Sequence, residues 1–208
     1  MVTRVAGILL AAGDGTRLGQ PKATVELNGA TLAERGVALL RAGGADPVLV
    51  VTGAVRVAVP GTVTVRNEDW ASGMGSSLVA GLRAVDADGE RAGGDAGVAA
   101  AVIALADQPL IGPEAVRRLI AAHAAGASVA VAAYDGKPRN PVLIAREHWP
   151  AVVAMASGDA GARPFLRAHP DLVTLVECGD TGSPDDIDTP EELARVRALT
   201  PPARPIGR

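Results

Sequence analysis

A glycine-rich run, G13-D14-G15-T16-R17-L18-G19-Q20-P21-K22, ends the first apolar segment of the chain and carries two cations. Small residues after a strand let backbone N–H groups approach an anion, and Arg17 and Lys22 beside them would neutralise a polyphosphate. A tight strand-to-helix turn would account for the glycines but has no use for the cations. Lys22 and Lys137 are the only lysines among 20 basic residues, so each lysine stands out. Asp107 closes the apolar run V98–A106, where an unpaired carboxylate is costly and a bound cation would compensate. Magnesium takes oxygen ligands, usually one or two carboxylates together with phosphate oxygens and water.

Several other chemistries are excluded by spacing. A dinucleotide fingerprint needs a third glycine at position 18, which is Leu, and no acidic residue follows V51-T52-G53 to hold a ribose. A P-loop fails because Lys22 is neither preceded by glycine nor followed by Ser or Thr. There is no G-x-S-x-G elbow and no H-E-x-x-H pair. Cys178, the single cysteine, has no histidine near it in sequence and reads as a small buried hydrophobe.

The elements that must position these groups alternate in type. Short apolar blocks at Val5–Leu10, Val48–Val51, Thr62–Val65, Val98–Leu105 and Ser128–Ala133 read as strands buried on both faces, hence a parallel sheet. Between and after them, Leu32–Arg41, Ser76–Val85, Pro113–Ala125, Ala160–Ala168 and Pro190–Leu199 carry helical spacing. Pro113 and Pro190, each followed by Glu, mark first helical turns. The fold class is therefore α/β, with helices on both sheet faces. Asp86–Gly97 is polar and glycine-rich and reads as a surface loop. In such sheets ligands lie beyond the carboxyl ends of the strands, which directs attention to the clusters at 11–19, 67–77 and 107–109.

Composition narrows the partners. The chain has 208 residues, 48% of them hydrophobic and only 2% aromatic, so one domain with an aliphatic core is expected, spanning 1–199 and followed by a frayed tail at 200–208. With 20 basic against 23 acidic residues there is no broad footprint for nucleic acid or anionic lipid. No apolar run reaches the roughly 20 residues of a membrane span, and the start lacks a signal-peptide layout. The protein is read as cytoplasmic.

Five segments in order carry a resemblance. L9-L10-A11-A12-G13-D14-G15-T16-R17-L18-G19-Q20-P21-K22 resembles the signature L-A-A-G-x-S-x-R-[ML]-G-x-x-K of the MobA-like nucleotidyltransferases. N67-E68-D69-W70-A71-S72-G73-M74-G75-S76-S77-L78, L105-A106-D107-Q108-P109, G158-D159-A160-G161-A162-R163 and D186-I187-D188-T189-P190-E191-E192-L193 are similar to four further blocks of that family. The Ala-Ala-Gly form, with the second and fourth blocks, resembles most the molybdenum-cofactor cytidylyltransferase branch.

The resemblance implies a single-domain, Rossmann-like three-layer α/β/α fold of the nucleotide-diphospho-sugar transferase type. It implies a Mg2+-dependent enzyme that joins a nucleoside triphosphate, CTP by preference, to the phosphate of a small-molecule acceptor, molybdopterin, with release of pyrophosphate and a molybdoenzyme as possible client. By the same resemblance the backbone of Leu10, Ala11, Ala12, Gly13 and Gly15 meets the nucleotide, Arg17 and Lys22 take the phosphates, and Asp107 and Asp188 hold the metal. A carboxylate before a helix is also a common N-cap, so for Asp188 both roles stay open. If both acids touch one magnesium, their nearest oxygens lie within about 4 Å of each other. Asn67 maps near base or ribose. Ser76 and Ser77 open a helix, where they either cap it or help bind phosphate, and Trp70 stacks on a base or fills the core. Asp185 and Asp186 read as solvated turn residues. On the acceptor side the family's G-H-P-V-like stretch becomes R139-N140-P141-V142. Asn140, Pro141 and Asp159 are the acceptor candidates, and Asn in place of His keeps a donor but cannot carry charge. Three alternatives remain: another base or acceptor, such as GTP with molybdopterin or a triphosphate with a sugar phosphate; an NAD(P)H-dependent oxidoreductase of the nicotine-blue type; and a non-catalytic cofactor carrier.

Overall fold

The computed structural model describes residues 4–91 and 97–199. The chain runs β1 (Arg4–Ala11), β2 (Glu26–Leu27), β3 (Ala30–Thr31), α1 (Leu32–Ala42), β4 (Val48–Thr52), β5 (Val63–Arg66), α2 (Met74–Arg91), β6 (Val98–Leu105), α3 (Pro113–Ala124), β7 (Val129–Tyr134), β8 (Lys137–Ala145), α4 (Trp149–Met155), α5 (Arg163–Ala168), β9 (Val173–Glu177) and α6 (Pro190–Leu199). Seven strands form one sheet in the order β5-β4-β1-β6-β8-β7-β9. All pair parallel except β8, which is antiparallel to both β6 and β7. This is the α/β/α sandwich expected, as a single domain.

Each face of the sheet is sealed by helices whose apolar stripes match it. Val37 and Leu40 of α1 and Val116 and Leu119 of α3 bury one face with Leu9, Val50 and Val102. Leu78 and Leu82 of α2, Trp149 of α4 and Phe165 of α5 bury the other, with Ile8, Val51 and Ile144. Helix α1 begins at a capping box in which Thr31 and Glu34 bind each other's backbone N–H. A third cluster lies off the sheet. Leu18, Val25, Leu27 and Leu32 pack there against Ile187, Leu193 and Val196, which fastens α6 to the segment that follows the glycine loop.

Four features differ from the sequence reading. Strands β8 and β9 have no counterpart in it, because Pro138, Arg139, Asn140 and Pro141 break the apolar pattern of β8 and β9 is mostly exposed. β5 is a largely exposed edge strand, not one buried on both faces. The segment read as a loop from Asp86 is helical through Arg91, since D-A-D-G-E-R holds good helix formers and one tolerated glycine. The stretch Ala160–Ala168 splits, with a 3-10 turn at Gly158–Ala160 and a helix only from Arg163, because Gly161 at φ 54° interrupts it. The expected tail at 200–208 lies outside the described residues. Among the described residues no helix is long and apolar enough to cross a membrane.

Candidate functional site

A cavity of about 1280 Å3 opens beyond the carboxyl ends of β1 and β6. Pockets for one small ligand span roughly 300–1,000 Å3, so this one is somewhat larger. Its floor begins with Leu10, Ala11 and Ala12, buried at the end of β1. The chain then turns at Gly15, whose φ of +65° would strain any other residue and whose added Cβ would lie 1.9 Å from the Gln20 carbonyl oxygen. That turn carries the chain back so that Lys22, in the 3-10 turn Lys22–Thr24, points into the cavity over the buried Ala23.

Asp107 follows β6, and Asp188 precedes α6. Three backbone bonds and one side chain hold them together: Ile187 N–H to Asp107 O at 2.8 Å, Gly112 N–H to Thr181 O at 2.9 Å, Ser183 N–H to Leu110 O at 3.2 Å, and Gln108 Nε2 to Pro184 O at 3.0 Å. Ile187 is fully buried in the third cluster, which fixes its neighbour Asp188. The alternative of Asp188 as helix cap is excluded. Thr189 caps α6, its hydroxyl accepting from Glu192 N–H at 3.2 Å, while the Glu192 carboxylate accepts from the N–H groups of Asp188 and Thr189.

Both acids converge on one atom. Lys22 Nζ donates to Asp107 Oδ2 at 2.7 Å and to Asp188 Oδ1, and Arg17 Nη2 donates to Asp188 Oδ2 at 2.8 Å. Burial pulls the Lys22 ammonium down, but the charges and hydrogen bonds of Asp107 and Asp188 together outweigh it and hold the group above the ordinary lysine value. The hydrogen bond from Lys22, with the charges of Lys22 and Arg17, holds the Asp188 carboxyl below the usual carboxylate range. The second oxygen of Asp107, Oδ1, is buried without a hydrogen-bond partner. An orphaned carboxylate oxygen beside a second carboxylate fits a hard divalent cation. Among the described residues no three His, Cys, Asp or Glu gather as a metal site.

Leu10, Ala11, Ala12, Gly13, Gly15, Arg17, Lys22, Asp107, Asp188, Asn140 and Asp159 all line the cavity. Asn67, Ser76 and Pro141 are not among the residues that line it. Asn67 is buried and its amide is occupied, donating to Ser76 Oγ at 2.8 Å and Ser77 Oγ at 3.0 Å, while its Oδ1 accepts from Asp69 N–H. Ser76 Oγ in turn donates to Asp69 O and Gly73 O. These residues are struts that set the start of α2, and Ser77 alone of the three reaches the cavity wall. Pro141 is buried in the sheet. Asp159 Oδ1 accepts from Met74 N–H at 3.4 Å, and an added Cβ on Gly73 would meet Gly158 at 2.5 Å, so the second and fourth sequence blocks form one junction.

Sequence reasoning also missed residues. Asp186, exposed in its turn as expected, also lines the cavity wall, and desolvation, then the charge of Asp107, raises its carboxyl above the usual range. Its place in the block D-x-D-T-P was the available signal. Arg139, Arg163 and Arg167 line the same cavity. Trp70 is half-buried at the wall, with Gly53 beneath its Cβ, a position where an added methyl would lie 2.5 Å from both Trp70 and Ala12 O.

The family description MobA-like NTP transferase domain matches residues 7–173. The chain is 39% identical over 207 residues to nicotine blue oxidoreductase of Paenarthrobacter nicotinovorans, covering 92% of this chain and 96% of that one. It is 40% identical over 88 residues to a probable molybdenum cofactor guanylyltransferase of Opitutus terrae, covering 42% and 44%. Among solved structures, the Mycobacterium tuberculosis Rv0371c homologue from Mycobacterium sp. strain JC1 superposes with a TM-score of 0.79 at 30% identity, covering 95% of this chain and 98% of that one. Rv0371c of M. tuberculosis H37Rv in complex with manganese gives 0.73 at 24% identity, with 95% and 100% covered.

Proposed function

The chain belongs to the MobA-like NTP transferase family, and from that premise we propose that it is a Mg2+-dependent nucleotidyltransferase that moves the nucleotidyl group of CTP onto the phosphate of molybdopterin or molybdenum cofactor. An oxygen of the acceptor phosphate attacks the α-phosphorus, the α–β phosphoanhydride bond breaks, and pyrophosphate leaves. Bringing two polyanions together makes charge neutralisation and in-line positioning the main tasks, and no covalent nucleophile is needed.

One observation carries this reading: the convergence of Lys22 and Arg17 on Asp107 and Asp188 beside a glycine turn, in a cavity of about 1280 Å3. The backbone of residues 10–15 receives the triphosphate, and Arg17 and Lys22 exchange their carboxylate partners for phosphate oxygens. Asp107, whose Oδ1 has no hydrogen-bond partner, and Asp188 would hold the divalent ion, which would neutralise the phosphates and polarise the reacting phosphoryl group. The manganese complex of Rv0371c supports a divalent ion in this fold. For the base, the Ala-Ala-Gly loop favours CTP, whereas the Opitutus terrae relative favours GTP. A molybdoenzyme would receive the dinucleotide product. Incubation with each nucleoside triphosphate, Mg2+ and molybdopterin tests the proposal. Pyrophosphate appears with CTP and is lost in Lys22→Ala and Asp107→Ala; release with GTP instead changes the base, and release with no triphosphate sinks the reading.

The identity of 39% to nicotine blue oxidoreductase favours a second reading, an NAD(P)H-dependent oxidoreductase of that type acting in the same cavity. The failed dinucleotide spacing opposes it. NADPH oxidation that survives Asp107→Asn would establish it in place of the transfer reaction.

A further inference from the structure

The sheet ends at β5 on one side and at β9 on the other. An edge strand presents a row of unpaired N–H and C=O groups, which proteins blunt with an internal charge, a proline or a bulge. β9, V173-T174-L175-V176-E177, is the longer of the two edges and has none of these devices. It contains no proline, its one charge is its last residue, and its register with β7 is unbroken. Leu175, at its centre, is 50% exposed.

The ladder decides which backbone groups of β9 face outward. Cys178 N–H, one residue beyond the strand, donates to Ala133 O of β7 at 2.7 Å. Backbone direction alternates along a strand, so 174 and 176 also turn to β7, whereas 173, 175 and 177 turn their N–H and C=O groups away from it. Two of those outward groups are already engaged. Val173 N–H donates to Pro170 O, and Glu177 O accepts from Arg118 Nη1 at 2.8 Å. Among the described residues this leaves two donors, Leu175 N–H and Glu177 N–H, and two acceptors, Val173 O and Leu175 O.

That set is complementary to itself. In an antiparallel pair, residues directly opposite exchange N–H and C=O groups at every second position. With Leu175 opposite its own counterpart, 177 falls opposite 173, and each free donor meets a free acceptor. Four hydrogen bonds form, and the only exchange lost is that between Val173 N–H and Glu177 O, the two groups already engaged. Thr174 falls opposite Val176 and Glu177 opposite Val173, so no like charges meet.

We propose that β9 is the contact between two copies of this chain, paired antiparallel across a two-fold axis at Leu175, so that two sheets run on as one. Side chains directly opposite in such a pair share a face. Leu175 lines the cavity, so the partner's Leu175 stands beside the cavity mouth and extends its wall. The pairing holds whatever reaction the cavity carries out. A contact built on one five-residue strand belongs to the small, reversible class of interface.

The test is analytical ultracentrifugation of the full chain over a wide range of concentration. A reversible monomer–dimer equilibrium is expected, with amide hydrogen exchange at Leu175 and Glu177 slowing as the dimer fills. Leu175→Lys sets two ammonium groups opposite each other across the axis and raises the dissociation constant at least about tenfold. Leu175→Pro removes both central donors while sparing the β7 ladder, and it abolishes the dimer. Position 175 is exposed, so circular dichroism of the Lys variant stays that of the parent. Val63→Lys, on the other edge, leaves the equilibrium as it is. A chain that sediments as a monomer throughout, a dimer that survives both Leu175 variants, or open-ended oligomers that Val63→Lys disperses would each overturn the pairing.

Discussion

In the resting arrangement the Lys22 ammonium stands between the two carboxylates proposed to hold the metal. Lysine and divalent ion therefore compete for Asp107 and Asp188, and the metal gains full access only when a triphosphate offers Lys22 other oxygens. Lys22→Met keeps the length of the stem and removes the charge. A unit charge about 4 Å from a divalent ion is worth several kcal/mol at an effective dielectric of about 20 and falls as water enters. Side-chain exposures of 21% for Lys22, 21% for Asp107 and 23% for Asp188 admit some water, so the low end applies. We expect Lys22→Met to bind Mn2+ without nucleotide roughly 10- to 100-fold more tightly than the parent, a Coulomb gain of about 1.4–2.8 kcal/mol. Electron paramagnetic resonance of free Mn2+ in a titration reads it directly. The same variant loses nucleotidyl transfer, so tighter metal binding accompanies lost activity. Unchanged or weaker Mn2+ binding in Lys22→Met would refute the competition and the assignment of the two acids.

Four further outcomes are expected. Gly15→Ala forces a methyl against Gln20 O at a positive φ, so it costs about 1–3 kcal/mol of stability and weakens nucleotide binding, read by melting and by titration with CTP. Ile187→Ala empties a fully buried site in the cluster that fixes Asp188 and costs about 2–5 kcal/mol; its Mn2+ affinity falls as well, whereas Leu119→Ala in the main core lowers the melting temperature without touching Mn2+ binding. Asn67→Ala leaves the buried Ser77 hydroxyl and the half-buried Ser76 hydroxyl short of a donor and destabilises by about 1–3 kcal/mol in denaturant titrations. Glu177 accepts N–H bonds from Gly179 and Gly136, which hold its carboxyl below the usual range. A depressed folded-state pKa gives stability that is present above the unfolded carboxylate value and lost as pH falls through the folded one. Glu177→Gln therefore flattens the acid side of the stability curve, measured by urea melts between pH 3 and about 6, and a parallel pair of curves would contradict it.

The half of the cavity around Lys22 was legible because its chemistry is written in short runs. Gly15, Arg17 and Lys22 lie on one loop, and each acid lies at an element boundary that the sequence marks, Asp107 after an apolar strand and Asp188 before Pro190. Their meeting at one ammonium was not legible, because it depends on the third hydrophobic cluster, whose members come from residues 18–32 and 187–196. At Asn67 the sequence leaves two roles open for a local reason: polar residues near a helix start serve the helix as readily as a ligand, and here the amide donates to Ser76 and Ser77.

The far half was hidden for a different reason, and the difference bears on how such cavities divide their work. Val131, Val142 and Leu175 share no motif; strand register alone lines them up, with β8 running antiparallel and bulged between two strands it does not match in pattern. Arg139, Arg163 and Arg167 look in sequence like ordinary members of an arginine-rich chain until the cavity lines them up. A phosphate-handling loop must hold backbone N–H groups and charges in one geometry whatever the acceptor, so its residues are fixed at short spacing. In this half of the cavity strand register and the bulge at 139–141, not a sequence motif, therefore decide which residues meet the opening.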